Sequence, residues 1–502
     1  MISRIQSVTV LCGFTLAALR LSSADAAECA ELKRIELPRT QITFAGVVQA
    51  GAFSPPGAAN GTANYVRLPS FCRVTGTLRP TADSDIRFEV WLPIAGWNGK
   101  FVGVGNGAWA GSILHAAMID PLSKGYATAA TDGGHQGDSL DASFAAGHAE
   151  KLIDFGYRAT HEMTMAAKAT IAAFYGKVAN RSLFASCSTG GRQGLMVAYR
   201  YPEDYDAISS MAPANPVVAL MVSSLWIGSA TSKDVASRIS PAKFDLVHKA
   251  AVKACDADDG LEDGLISQPS RCRFDPAVLA CKNADAPDCL TAPQIAALHA
   301  IYKGPRNPRT GESIFPGFER GSEALLPIQA SGTGLFPAVS SYFRDLLFND
   351  PNWDFRTFDY DKDVTRALRA HGDALDVPAK GLDRYLASGR KLLLSHGWAD
   401  PLVPPMASVN FYKELGGNKA RSARLFMIPG MGHCGGGDGP FVFDPIATID
   451  NWVETGHAPE HIVVSNPPDT PERTRLVCAF PNVATQSGSG STDNEKSFRC
   501  ER

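Results

Sequence analysis

Leu183-Phe184-Ala185-Ser186-Cys187-Ser188-Thr189-Gly190-Gly191-Arg192-Gln193 leads from an apolar β-type run through a cluster of small residues into a helical pattern that continues to Tyr201. Strand, sharp turn and helix in that order are the setting of a nucleophile elbow, where crowding of the backbone demands small neighbours and leaves the central Ser188 Oγ exposed above a sheet. The usual first small residue is glycine; here it is Ser186. The same letters also fit a plain turn between a strand and a helix, so the partners of Ser188 have to decide.

Working outward, short β-type runs recur at Phe88–Leu92, Phe101–Val104, Tyr126–Ala130, Leu183–Ala185 and Ala207–Ser209, with a long helical pattern from about Gly156 to Tyr175. A second block holds Lys391–Leu394 and Arg424–Ile428, each followed by a loop and a further helical pattern. Such alternation predicts an α/β fold, a mainly parallel sheet covered by helices on both faces. From about Pro216 to Pro378 the strand pattern gives way to prolines, glycines, acidic clusters and four cysteines. This stretch reads as a lid domain inserted between two strands, dividing the sheet domain into residues 27–215 and 379–502. A chain of 502 residues exceeds what one core usually supports, which agrees with an insertion.

In a hydrolase of this class the acid and the base follow the nucleophile, each in a loop past a strand. Ser395-His396-Gly397-Trp398-Ala399-Asp400 follows the first strand of the second block, and Pro429-Gly430-Met431-Gly432-His433-Cys434 follows the next. The expected triad is Ser188, Asp400 and His433, with Asp400 holding the imidazole tautomer and His433 taking the serine proton. His396, His457 and His461 are read as structural. Cys187 directly precedes the nucleophile and Cys434 directly follows the base. If Ser188 and His433 meet, these neighbours are close enough for a disulfide that clamps the two loops, the alternative being that each pairs elsewhere.

The N-terminus carries Arg4, an apolar run from Val8 to Leu19, and Ala24-Asp25-Ala26, a small-x-small cleavage pattern. Residues 1–26 read as a secretory signal peptide, too short to span a bilayer, and no later run reaches spanning length. Its removal discards Cys12 and leaves ten cysteines, an even number that in an exported chain points to five disulfides. The expected location is secreted or periplasmic. The 48 basic and 51 acidic residues nearly balance and form no basic patch, which argues against nucleic acid and anionic membrane surfaces as partners. Oligomeric state is left open by the sequence, and nothing in it calls for an organic cofactor.

Cys187-Ser188-Thr189-Gly190-Gly191-Arg192, Asp400 and His433-Cys434 resemble the Cys-Ser, Asp and His-Cys pattern of the tannase and feruloyl esterase family, which includes mono(2-hydroxyethyl) terephthalate hydrolase. The similarity covers nearly the whole chain after the signal, lid insertion and cysteine layout included; Ser186 in place of glycine departs from it. The resemblance implies an α/β-hydrolase fold and hydrolysis of small aromatic esters. It also implies the disulfides Cys29–Cys72, Cys187–Cys434, Cys255–Cys272, Cys281–Cys289 and Cys478–Cys500. Of the glycine-rich loop Val104–Gly111 it implies that Gly107 gives the second oxyanion N–H beside Thr189, although Gly105 also qualifies from the sequence. Asp256-Ala257-Asp258-Asp259-Gly260-Leu261-Glu262-Asp263-Gly264-Leu265 reads by itself as a solvated acidic loop and lacks the EF-hand register. The resemblance turns it into a structural calcium site of Asp256, Asp259 and Asp263 with the carbonyls of Leu261 and Leu265.

Trp226, Tyr342, Phe343, Phe348 and Trp353 from the insertion and Trp398 from the acid loop are available to line an aromatic acyl pocket, the alternative for each being ordinary core. Arg344 is a candidate partner for a substrate carboxylate or simply a surface residue. The expected reaction is acyl transfer from a feruloyl ester, with gallate and terephthalate esters as alternatives. Two rivals are a serine peptidase and a non-catalytic binding protein on a hydrolase scaffold. Ser487–Ser491, rich in serine and glycine, is expected to form a mobile loop between Cys478 and Cys500.

Overall fold

The computed structural model describes residues 28–56, 65–330, 334–417 and 419–502; the expected signal peptide therefore lies outside the described residues. The strands of the central sheet are β1 (Thr40–Val48), β2 (Phe71–Leu78), β3 (Ile86–Pro93), β4 (Lys100–Gly103), β5 (Ala127–Thr131), β6 (Arg181–Cys187), β7 (Ala207–Met211), β8 (Lys391–Gly397) and β9 (Ala423–Ile428). Their order across the sheet is β1-β2-β3-β5-β4-β6-β7-β8-β9. The first four in that order pair antiparallel, and everything from β5 to β9 is parallel. All seven strands read from the sequence are present. The chain is an α/β fold, a large mixed sheet with helices on both faces.

The parallel strands read as continuous apolar runs because both faces are covered. In β4 Phe101 faces one core and Val102 the other; in β8 Leu392 and Leu394 face the first and Leu393 the second. The first core receives Met163, Ala167 and Ile171 of helix Ala159–Tyr175 and Leu195 of helix Thr189–Arg200. The second receives Met118 and Leu122 of helix His115–Ser123 and Ile449 and Trp452 of helix Pro445–Thr455.

Between β7 and β8 the described residues form helices and loops without a strand. Part of this segment has a core of its own, in which Phe244, Val247 and Ala251 of helix Pro241–Cys255 meet Leu298 and Ile301 of helix Ala292–Lys303. The C-terminal region adds two small antiparallel pairs, β10 (His461–Ser465) with β11 (Thr474–Cys478) and β12 (Val483–Gln486) with β13 (Phe498–Glu501). The stretch expected to be a mobile loop is the connection from β12 to β13. It is held by the Ser487 N–H on the Ser497 carbonyl and by Gln486 Nε2 on the Gly490 carbonyl. All five disulfides pair as the family resemblance implies. Such a set belongs to an oxidising compartment.

Candidate active site

Ser188 is the turn residue between β6 and helix Thr189–Arg200, with φ 61° and ψ −126°, a conformation rare for any residue with a side chain. Its N–H donates to the Met211 carbonyl, while its own carbonyl accepts from Arg192 and Ala214. The turn leaves no room beside it. A Cβ added to Gly190 would stand 2.0 Å from Ser186 Oγ, which is why this position takes glycine. Ser186 fits in place of the usual glycine because its Oγ accepts the Gly105 N–H at 3.3 Å.

The two loops past β8 and β9 bring the other members to Ser188. His433 Nε2 lies 2.9 Å from Ser188 Oγ, and His433 Nδ1 lies 2.7 Å from Asp400 Oδ2. Asp400 is fully buried. Burial alone would raise its proton affinity. The charge of His433 and the hydrogen bonds from His396 and His433 outweigh that and hold the carboxyl well below the usual carboxylate range. Asp400 Oδ1 accepts the N–H groups of Leu402 and Val403. A serine hydroxyl on an imidazole that rests on a buried carboxylate can pass its proton and become a nucleophile. His396, read as structural, also reaches Asp400; His457 and His461 are exposed and take no part.

The glycine-rich loop after β4 is fixed to the elbow helix by side chains that sequence reading missed. Asn106 and Gln193 exchange two hydrogen bonds: the Asn106 N–H donates to Gln193 Oε1 at 2.9 Å, and Gln193 Nε2 donates to Asn106 Oδ1 at 3.0 Å. The Gly190 N–H donates to the Asn106 carbonyl, and Thr189 Oγ1 donates to the Ala108 carbonyl. The Thr189 N–H opens its helix and so has no intrahelical acceptor. A Cβ built on Gly107 would meet nothing within 4 Å. Trp109, next in the loop, is fixed by its own Nε1 on the Ala338 carbonyl and by His135 Nε2 on its carbonyl at 2.9 Å. Burial lowers the His135 imidazole to about 4, so it serves as a neutral donor there.

The cleft over Ser188 and His433 is walled by Trp109, Phe155, Leu220, Met221, Phe336 and Val339. None of the aromatic residues proposed from the sequence lines it. Tyr342 is fully buried and stacks behind Trp109 with ring centroids 5.8 Å apart. Phe343 and Phe348 pack on Trp353, Trp226 donates to the Ala300 carbonyl, and Trp398 borders a different cleft with Met406 and Met427. Arg344 pairs with its neighbour Asp345. Arg192, wholly buried at the cleft, donates from Nη1 and Nη2 to the carbonyls of Gly156, Phe155 and Leu375. It thereby secures the π-helical turn Asp154–Arg158 from which Phe155 enters the cleft.

The acidic run follows Cys255 and folds on itself. The Asp256 carboxylate accepts the N–H groups of Asp263, Gly264 and Leu265, and Asp259 accepts that of Leu261. Asp263 Oδ2 pairs with Arg473 and Arg475. Among the described residues no three acidic side chains are grouped to hold an ion as they stand, since Asp263 is turned to the arginines. The donor chemistry nevertheless suits a hard cation. Burial above all, with the charge of Asp256, raises the proton affinity of Asp259 against the opposing charge of Arg475. Leu265 packs against Gly430 in the histidine loop.

Comparison with known proteins agrees with this geometry. The family model for tannase and feruloyl esterase matches residues 72–501. An uncharacterized esterase of Xanthomonas campestris pv. campestris is 37% identical over 97% of this chain and 93% of its own. The mono(2-hydroxyethyl) terephthalate hydrolase of Piscinibacter sakaiensis is 31% identical over 95% of this chain and 92% of its own. The crystal structure of feruloyl esterase B from Aspergillus oryzae superposes with a TM-score of 0.87 at 26% identity, covering 95% of this chain and all of that one.

Proposed function

The chain belongs to the tannase and feruloyl esterase family and is a carboxylic ester hydrolase, and from that premise we propose that it cleaves esters of aromatic acids, feruloyl (hydroxycinnamoyl) esters first, through Ser188, His433 and Asp400. The hydrogen-bonded chain from Ser188 Oγ through His433 to Asp400, 2.9 and 2.7 Å, carries this reading. His433 Nε2 takes the proton of Ser188 Oγ as the oxygen attacks the ester carbonyl. The N–H groups of Thr189 and Gly107 receive the oxyanion. The alcohol leaves with the proton from His433, and a water activated by the same imidazole then frees the acid.

The aromatic and aliphatic walls of the cleft suit the ring of a hydroxycinnamate. A gallate would bring three hydroxyls against those walls. A terephthalate monoester is the second reading, favoured by the Piscinibacter relative. It would bring a carboxylate to a cleft whose arginine, Arg192, already has both Nη groups on backbone carbonyls and only Nε without a partner. The segment between β7 and β8 acts as the lid, supplying Leu220, Met221, Phe336 and Val339. Residues 1–26 direct export to the periplasm or the medium, which the five disulfides support. The carboxylates of Asp256, Asp259 and Asp263 and the carbonyls of Leu261 and Leu265 would hold a structural calcium ion once Asp263 turned from Arg473 and Arg475, and its charge would steady the loop behind Gly430.

Ser188→Ala is expected to abolish ester turnover, and a fluorophosphonate to label Ser188 in the wild type. A variant that keeps most of its activity removes the mechanism. Methyl ferulate, methyl gallate and mono(2-hydroxyethyl) terephthalate assayed side by side decide the acid; the highest kcat/KM on either of the last two overturns the feruloyl assignment.

A further inference from the structure

One oxygen of the buried acid serves two imidazoles. Asp400 Oδ2 lies 2.7 Å from His433 Nδ1 and 3.0 Å from His396 Nε2. His396 is the penultimate residue of β8, is fully inaccessible, and has Ser408 Oγ of helix Met406–Glu414 at 2.7 Å from its Nδ1. Its Nε2 faces only acceptors, Asp400 Oδ2 and the Val403 carbonyl at 3.1 Å, so that nitrogen must carry a hydrogen. The ionisable groups that act on Asp400 are His433 and His396.

We propose that His396 is a positioning residue for the reaction, donating from Nε2 to Asp400 so that the carboxylate is aimed at His433 Nδ1 and does not take its proton. The inference rests on the triad reading above. With its donors at Leu402 and Val403, Asp400 has both Oδ1 sites filled. Oδ2, out of reach of solvent, would keep one lone pair unpaired if His396 were absent. The carboxylate would then be more basic, His433 would hold its proton to higher pH, and less of the enzyme would have a base ready for Ser188. Ser408 fixes which His396 nitrogen points at the acid.

His396→Leu removes the donor, and His396→Gln returns an N–H at similar reach. On an aryl ester, the Leu variant is expected to lose roughly 10- to 100-fold in kcat with KM held within about twofold. The acid limb of its kcat–pH profile is expected to move up by roughly half a unit or more. The Gln variant should recover most of both. Ser408→Ala keeps the imidazole and should move the limb the same way by less. Packing alone would not shift a pH profile. The proposal is overturned if Leu and Gln are equally impaired, or if the Leu variant keeps wild-type kcat and limb. Should the Leu variant not fold, Ser408→Ala with an unchanged profile overturns it as well. Ser188→Ala run in parallel separates the two levels: residual turnover there defeats the triad reading, whereas a dead Ser188→Ala beside an unaffected His396→Leu defeats only this inference.

Discussion

Cys187 and Cys434 are bonded to each other with their Cα atoms 5.9 Å apart, joining the residue before Ser188 to the residue after His433. The two halves of the site come from segments separated by 247 positions. The elbow is held by the sheet, whereas His433 precedes Gly435, Gly436 and Gly437, all with positive φ and with high backbone entropy when released. Replacing both cysteines by Ala should lower kcat by roughly 10- to 100-fold through misplacement of the base. It should also cost about 3–5 kcal/mol of stability on the chain-entropy account. Kinetics on a soluble aryl ester and denaturant melts measure both. A double variant with wild-type turnover would show that the glycine loop holds itself.

The Asn106–Gln193 exchange offers a test of the oxyanion loop. Gln193→Leu keeps the size of the side chain but leaves a buried N–H and a buried amide oxygen without partners, at a cost of about 1–3 kcal/mol. Because these bonds tie the loop of Gly107 to the helix of Thr189, kcat should fall more than KM rises. Loss of stability with kcat intact would assign the pair to folding alone.

How far the sequence could be read follows from how local each signal is. Ser188, Asp400 and His433 each sit in a short strand–loop context, so their types and order were legible without coordinates. The antiparallel strands β1 and β2 were not, β1 because its alternation of buried and exposed residues is weak and β2 because Arg73, Thr75 and Gly76 break its apolar run, and β10 to β13 are only four or five residues long. The acyl cleft was hidden for a different reason. Phe155 depends on a π-helical turn held by Arg192, and Phe336 comes from the far side of the insertion, so neither is marked by spacing. The richest aromatic stretch, Tyr342-Phe343, went into the core behind Trp109.

Stability should also depend on pH through the contact between the insertion and the histidine loop. His248 Nε2 lies 2.9 Å from Asp438, and Glu323 faces its Nδ1. The hydrogen bond that the imidazole donates to Asp438, and then the facing Glu323 carboxylate, raise His248 to about 9 against the opposing effect of burial. A pKa raised on folding gives stability that is complete below the unfolded value of about 6.5 and is lost as pH climbs through about 9. Asp438 is half-exposed, so the contribution is on the order of 1–2 kcal/mol after screening. Melting wild type and His248→Gln from pH 6 to 10 should give a gap that closes at the alkaline end. A gap of constant size would leave the ion pair without weight.

Calcium should raise the melting temperature and leave the chemistry largely as it is. Asp256, Asp259 and Asp263 share one loop, and Arg475, which pairs with Asp263, is the charge an ion would have to displace. An ion present at 100 times its Kd would add about 2.7 kcal/mol. Chelated protein should melt lower than calcium-loaded protein, and Asp256→Asn should remove the difference. Identical melts with and without chelator would return the run to a solvated loop with Arg475 as its counter-charge.

Phe336 offers the cleanest probe of the acyl cleft. Unlike Phe155, which is almost wholly buried, Phe336 is only partly buried, so its truncation should spare the fold. It faces the cleft with Met221 and Val339, away from the hydrogen bonds of Ser188 and His433. Its ring can therefore contribute to binding an aromatic acyl group and has little to offer an acetyl group. Phe336→Ala should lower kcat/KM on methyl ferulate by roughly 10- to 100-fold, the 1–3 kcal/mol that apolar contacts of this kind supply. On a short acetate ester the same variant should stay within about threefold of wild type. Met221→Ala, on the opposite helix Val217–Ser232, should follow the same pattern more weakly. Equal losses on both esters would mean that Phe336 supports the shape of the site and does not select the acid. An unchanged ferulate rate would move the acyl group out of this cleft altogether.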